Sequence, residues 1–113
     1  MITIDIPGGG AVCALLTKPA RPAAAFVFAH GAGAGMSHSF MDSVANGLAV
    51  RGIATLRYQF PYMERGSKRP DPPALAHAAV RAAVAAAGSK LPDVPLIAGG
   101  KSFGGRMTSQ AQA

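Results

Sequence analysis

Apolar and polar residues alternate along Ile2–Ile6 (ITIDI), the period-two pattern of a strand with one face buried. The turn-forming Pro7-Gly8-Gly9-Gly10 follows, and Ala11–Thr17 (AVCALLT) reads as a second strand, so the pair predicts an opening antiparallel hairpin. Lys18–Pro22 holds two prolines and two charges and is expected as a surface connection. Ala23–Ala29 (AAAFVFA) is unbroken apolar sequence, as in a strand covered on both faces. It runs directly into His30-Gly31-Ala32-Gly33-Ala34-Gly35. A helix capped by Ser37 or Ser39 is expected to reach about Val50, with Phe40, Val44 and Leu48 on one face. Arg51-Gly52 ends it, and Ile53–Tyr58 is the next strand.

Phe60–Pro73 reads as a long loop rich in proline and charge, and Ala74–Ala87 as an alanine-rich helix stopping at Gly88. Pro95–Ala98 is a short apolar strand, and Gly105–Ala113 begins a further helix. Strand and helix alternating in this way predict an α/β fold: an antiparallel opening hairpin, then parallel strands joined by crossover helices. Ligands of such sheets bind at the carboxyl ends of the strands. Both glycine-rich stretches, Gly31–Gly35 and Gly99–Gly105, follow strands and therefore open onto the same edge.

The second stretch carries the candidate chemistry. Gly100-Lys101-Ser102-Phe103-Gly104 fits G-x-S-x-G, the strand-to-helix corner that presents a serine as nucleophile. Glycine is needed on both sides of the serine because a Cβ there would collide with the turn. The pentapeptide alone is a weak signal, and a plain flexible turn is the competing reading; the strand before it and helix after it favour the corner. Gly100-Lys101-Ser102 also looks like the end of a phosphate-binding loop. That loop needs a glycine five residues before its last one, where this chain has Pro95, so the reading fails. Attack by an activated serine on an ester needs donors for the oxyanion that forms. The N–H of Phe103 supplies one; Ala32, in the loop after the third strand, is expected to supply the other. His30, Gly31, Gly33, Gly100 and Gly104 are expected to shape the two loops.

Composition changes little. The 113 residues suffice for one domain with a modest core, and many of the apolar residues are alanine. A net charge of +6 comes from basic residues scattered from Lys18 to Arg106, so it reads as a solvated surface and no nucleic-acid partner is expected. One cysteine, Cys13, excludes an internal disulfide, fits a reducing compartment and is expected as a small buried residue. With no signal peptide and no apolar run of membrane-spanning length, a cytoplasmic protein without membrane partners is expected. Neither a metal site nor a cofactor is suggested by any Cys, His or carboxylate spacing.

AHGAGAGM after the third strand, the RYQFPY segment and AGGKSFGGRM together resemble small bacterial α/β-hydrolase-fold proteins related to dienelactone hydrolases. They are also similar to the hydrolase-like domain of an NSL chromatin-complex subunit and of a testis-expressed protein. The resemblance implies hydrolysis of an ester or related acyl bond in a small-molecule substrate, with Ser102 as nucleophile. Dienelactone hydrolases proper use cysteine there, so their substrate does not carry over. In this fold the triad order is serine, acid, histidine, with both partners after the corner. Nine residues follow Gly104 and none is Asp, Glu or His. The expectation is therefore the N-terminal half of an α/β-hydrolase fold, residues 1–113, with the acid and base elsewhere. His30 is expected to shape its loop, His38 to cap or lie on the surface, and His77 to face solvent or satisfy packing. Asp42, Glu64, Asp71 and Asp93 read as loop or surface charges. The chromatin-complex relatives suggest an alternative, a non-catalytic interaction module on the same scaffold. A half-sheet would also leave Pro95–Ala98 as an exposed apolar edge able to pair with a second copy.

Overall fold

The computed structural model describes residues 2–31, 33 and 35–112. The hairpin forms as the alternation predicts: β1 (Ile2–Ile6) pairs antiparallel with β2 (Gly10–Thr17), Ile2 opposite Ala14 and Ile6 opposite Gly10. The turn needs glycine at Gly8, where φ is +78°. β3 (Ala24–Ala29) and β4 (Ile53–Tyr58) are parallel, with Val27 opposite Leu56, and β5 (Leu96–Gly100) lies parallel to β3 on its other side. β2 closes antiparallel on β4, giving the sheet order β1-β2-β4-β3-β5. This is the expected α/β architecture, with β5 at one edge.

Among the described residues, three longer helices and one short one pack on the sheet. α1 (Ser39–Val50) lies on one face and buries Met41 and Ala45. Its expected stripe Phe40–Val44–Leu48 is not the buried one. Phe40 is 45% exposed, and Val44 and Leu48 face an open depression with Phe26, Ile53 and Ile97. The cap is His38 rather than either serine; its Nδ1 accepts the Phe40 N–H at 3.2 Å. On the other face, α3 (Pro73–Lys90) buries Ala76, Ala79, Val80, Ala83 and Ala87, a stripe of small side chains that lets the helix sit close to the sheet. These residues join Ile4, Ile6, Val12, Leu56 and Tyr58 in the main core. The helix runs through Gly88, where a Cβ would meet only Leu96 at ordinary contact distance. It ends instead at Leu91, which is 5% exposed and precedes Pro92, a residue that disfavours helix before it.

The expected loop after Phe60 contains a further helix, α2 (Pro61–Glu64), too short to show a period but starting on proline, as helices often do. α4 (Phe103–Ala111) follows β5 after a two-residue corner. No described helix is long and apolar enough to cross a membrane.

Candidate functional site

The corner between β5 and α4 holds a strained backbone. Ser102 has φ +53° and ψ −112°, the one positive φ outside glycine among the described residues. A side-chain-bearing residue avoids that region, at a cost of about 1–3 kcal/mol. Close packing enforces it. A Cβ on Gly100 would lie 2.7 Å from the carbonyl oxygen of Ala29 and 2.8 Å from the nitrogen of Gly105. One on Gly104 would run into the carbonyl oxygens of His30 and Ala29. The corner is tied down by Lys101 N–H donating to Ala29 O at 3.1 Å, Gly104 N–H to Lys101 O at 3.0 Å and Arg106 N–H to Ser102 O at 3.0 Å.

Ser102 is exposed at this corner and Phe103 is buried below it. The Phe103 ring meets Phe60 edge-on at 5.2 Å and Tyr62 at 5.9 Å, which anchors the first turn of α4. The backbone N–H of Phe103 stands at the first helical position, among those an α-helix leaves without a partner of its own. Lys101 lies beside the corner with its ammonium 5.0 Å from the Phe40 ring centre.

The two glycine-rich loops meet. Gly31 is buried against the corner: a Cβ there would be 3.3 Å from Lys101 O and 3.6 Å from Ser102 Cβ. Gly33 is exposed with φ +85°. Ala32, the expected second oxyanion donor, lies outside the described residues. His30 is fully buried and both ring nitrogens are engaged. Nε2 accepts the Phe60 N–H at 3.0 Å, which leaves Nδ1 as the protonated nitrogen, donating to Gly31 O at 2.8 Å. Burial holds its pKa below the usual histidine value, against the opposing pull of the Gly31 carbonyl and Asp71. It is thus a neutral strut of the loop.

The other histidines are also committed. His38 spends its Nδ1 lone pair on the Phe40 N–H, and His77 pairs its Nε2 with Gln110 Oε1 at 2.9 Å. Among the described residues no group of His, Cys, Asp and Glu could hold a metal ion.

Several polar residues differ from their sequence reading. Asp71 is buried, not a surface charge: it accepts the Tyr62 N–H at 3.0 Å and pairs with Arg65 at 3.3 Å. Glu64 is exposed on α2, as read, but its carboxylate is engaged. It accepts from the Cys13 N–H and thiol, both at 3.1 Å, and from Gln59 Nε2 at 3.4 Å. Burial alone would raise its pKa, but these donors outweigh it and lower the value. Cys13 is half-buried on the face opposite Val12 and Ala14, not packed in the core. Sequence reading missed Arg57, which is 4% exposed and donates to Met36 O and Asp42 Oδ1, both at 3.2 Å, and to Thr17 Oγ1 at 3.3 Å. Its signal was a single charge inside an otherwise apolar strand.

No curated protein matches this sequence. Solved structures match its fold over nearly its whole length. An α/β serine hydrolase without lid from Xanthomonas campestris superposes with a TM-score of 0.84 at 21% identity, covering 97% of this chain and 53% of that one. An α/β serine hydrolase homologue from Coxiella burnetii gives 0.82 at 18% identity, with 96% and 54% covered. Dienelactone hydrolase from Anabaena variabilis gives 0.81 at 20%, with 97% and 54% covered. The chain thus spans about half the length of these structures. A family model described as an alpha/beta hydrolase domain matches residues 22–113. With this match, the fold and the strained corner between β5 and α4, the chain belongs to the alpha/beta hydrolase domain family.

Proposed function

We propose that this chain carries the nucleophile half of a serine hydrolase site acting on small-molecule ester or related acyl bonds. The reading rests above all on Ser102, an exposed hydroxyl held at positive φ on a strand–helix corner against which Gly31 packs. A base takes the Ser102 proton as Oγ bonds to the acyl carbon, and the carbonyl oxygen becomes an oxyanion. The N–H groups of Phe103 and Ala32 hold that charge. The tetrahedral centre collapses, the leaving alcohol departs with the proton, and water then releases the acid and restores the serine. Base and acid are taken to come from residues outside this sequence: His30 is buried with both ring nitrogens engaged, His38 caps α1 and His77 pairs with Gln110. Serine hydrolases among the solved neighbours support the same assignment.

The engaged histidines also favour a second reading, a non-catalytic interaction module of the kind the resemblance to a chromatin-complex subunit implies. Free imidazole and a fluorophosphonate probe separate the two. Imidazole stands in for the base, so the hydrolase reading expects a probe adduct on Ser102 that grows with imidazole and is lost in Ser102→Ala. Silence from a folded sample favours the module.

In either case the β5 edge is proposed to pair with a second copy of the chain. Leu96 and Ile97 are 36% and 59% exposed there, beside unpaired strand backbone.

A further inference from the structure

We propose that the segment Arg57–Glu64, which contains RYQFPY, clamps the glycine-rich loop at both ends, with Arg57 and Gln59 acting as positioning residues for the proposed oxyanion donor. The positioning role rests on the serine-hydrolase reading; the clamp itself does not.

The clamp has two jaws. At the start of the loop, the Phe60 N–H donates to His30 Nε2 at 3.0 Å, and the same ring's Nδ1 holds Gly31 O at 2.8 Å. At its end, Met36 is gripped through both backbone groups. Arg57 Nη1 donates to Met36 O at 3.2 Å, and Gln59 Oε1 accepts the Met36 N–H at 3.3 Å. Arg57 and Gln59 are two residues apart, so they leave the strand end on one face, while Tyr58 and Phe60 turn to the core on the other. One short segment therefore holds His30 and Gly31 at the loop's start and Met36 at its end.

Gly35 fits the same arrangement. A Cβ there would stand 2.7 Å from Gln59 Oε1, so a side chain at this position would push the amide aside. A relay fixes the amide's orientation. Glu64 accepts from Gln59 Nε2 and is itself held by the Cys13 N–H and thiol, which leaves Gln59 Oε1 turned toward Met36. Tyr62, fully buried from the same segment, stands near the Gly33 backbone, which opposes the upward push of burial and Asp71 on its phenol. A buried arginine is costly to place on an apolar strand. Here its guanidinium also reaches Asp42 and Thr17, so α1, β2 and the loop are joined at one point.

The test reads loop opening and serine reactivity separately on the full chain. Gln59→Met keeps the side-chain volume and removes the amide. Hydrogen exchange at the Met36 amide should rise by about tenfold, while the Val27 and Leu56 amides of the central strands stay unchanged. Imidazole-dependent fluorophosphonate labelling of Ser102 should slow by about tenfold, as expected when an oxyanion donor loses its position. The exchanged pair, Gln59→Glu with Glu64→Gln, keeps an acceptor for Met36 and a donor between the two side chains, and should restore both readouts. Unchanged Met36 exchange in Gln59→Met overturns the clamp. Faster Met36 exchange with undiminished Ser102 labelling overturns the positioning role. An unlabelled wild-type chain overturns the hydrolase reading, and with it the positioning role, while the exchange arm still decides the clamp.

Discussion

The two edges of the sheet are built on opposite principles. At the β1 edge the alternation is complete: Ile4 and Ile6 lie in the core, and Thr3 and Asp5 face solvent. A charge and a hydroxyl on an edge strand discourage further pairing. At the β5 edge there is no polar residue to do this. Leu96 and Ile97 stand exposed, and an apolar depression lies on each side of the strand. One, about 220 Å³, is lined by Val80, Val84, Ala98 and Ala111 together with Arg81, Thr108 and Gln112; the other, about 330 Å³, by Phe26, Val44, Leu48, Ile53 and Ile97. The solved neighbours run to nearly twice the length of this chain. The contrast teaches that the candidate site stands at the apolar, uncovered edge of the sheet, on β5, which β3 alone holds.

Substitutions at the glycines of the two ends sharpen this contrast most. Gly104→Val puts side-chain atoms against the backbone of Ala29 and His30, so a loss of about 3 kcal/mol or more is expected in urea unfolding. Gly8→Ala in the β1–β2 turn meets nothing within 4 Å and pays only for its φ of +78°, a cost of about 1 kcal/mol. Equal losses at the two sites would remove the claim that the corner is the over-determined end.

The edges themselves differ next. Sedimentation should show mass rising with concentration for the wild-type chain, and Ile97→Lys should weaken that association by at least about tenfold, or about 1.4 kcal/mol. Thr3→Lys on the other edge should leave it unchanged. Association that ignores Ile97 would place the contact elsewhere.

The smallest effect is a pH dependence, and it belongs to the site end. His30 has its pKa lowered by burial, so the unfolded chain binds a proton that the folded chain refuses. Its contribution is present above the unfolded value of about 6.5 and is lost as the pH falls below it. Stability in urea unfolding should therefore fall as the pH drops from about 7.5 to about 5.5, and less so in a variant without this ring. An imidazole resonance of His30 that titrates at the ordinary histidine value in the folded chain would contradict it.

Local patterns made the fold readable. Period-two alternation found β1, the glycine turn set β2 beside it, an apolar run found β3, and the G-x-S-x-G spacing found the corner, because each is a local signature that neighbours in sequence complete. The misses share a cause in contacts made across the chain. Asp71 reads as a loop charge because its partner Tyr62 lies nine positions away on a helix of four residues, α2, with no period of its own. Arg57 reads as an ordinary strand residue because Met36, Asp42 and Thr17 come to it from three other segments. The α1 stripe was misjudged for a related reason. Phe40, Val44 and Leu48 do share a face, but that face overlooks the depression beside Ile97 rather than the filled core.

The claim that Ser102 is a poised acyl acceptor is tested most directly by mass spectrometry of the folded chain after fluorophosphonate treatment, with and without imidazole. One adduct is expected, mapped to Ser102, growing with imidazole and missing from Ser102→Ala. A folded chain that stays unmodified at every imidazole concentration, or carries its adduct on another residue, contradicts the account.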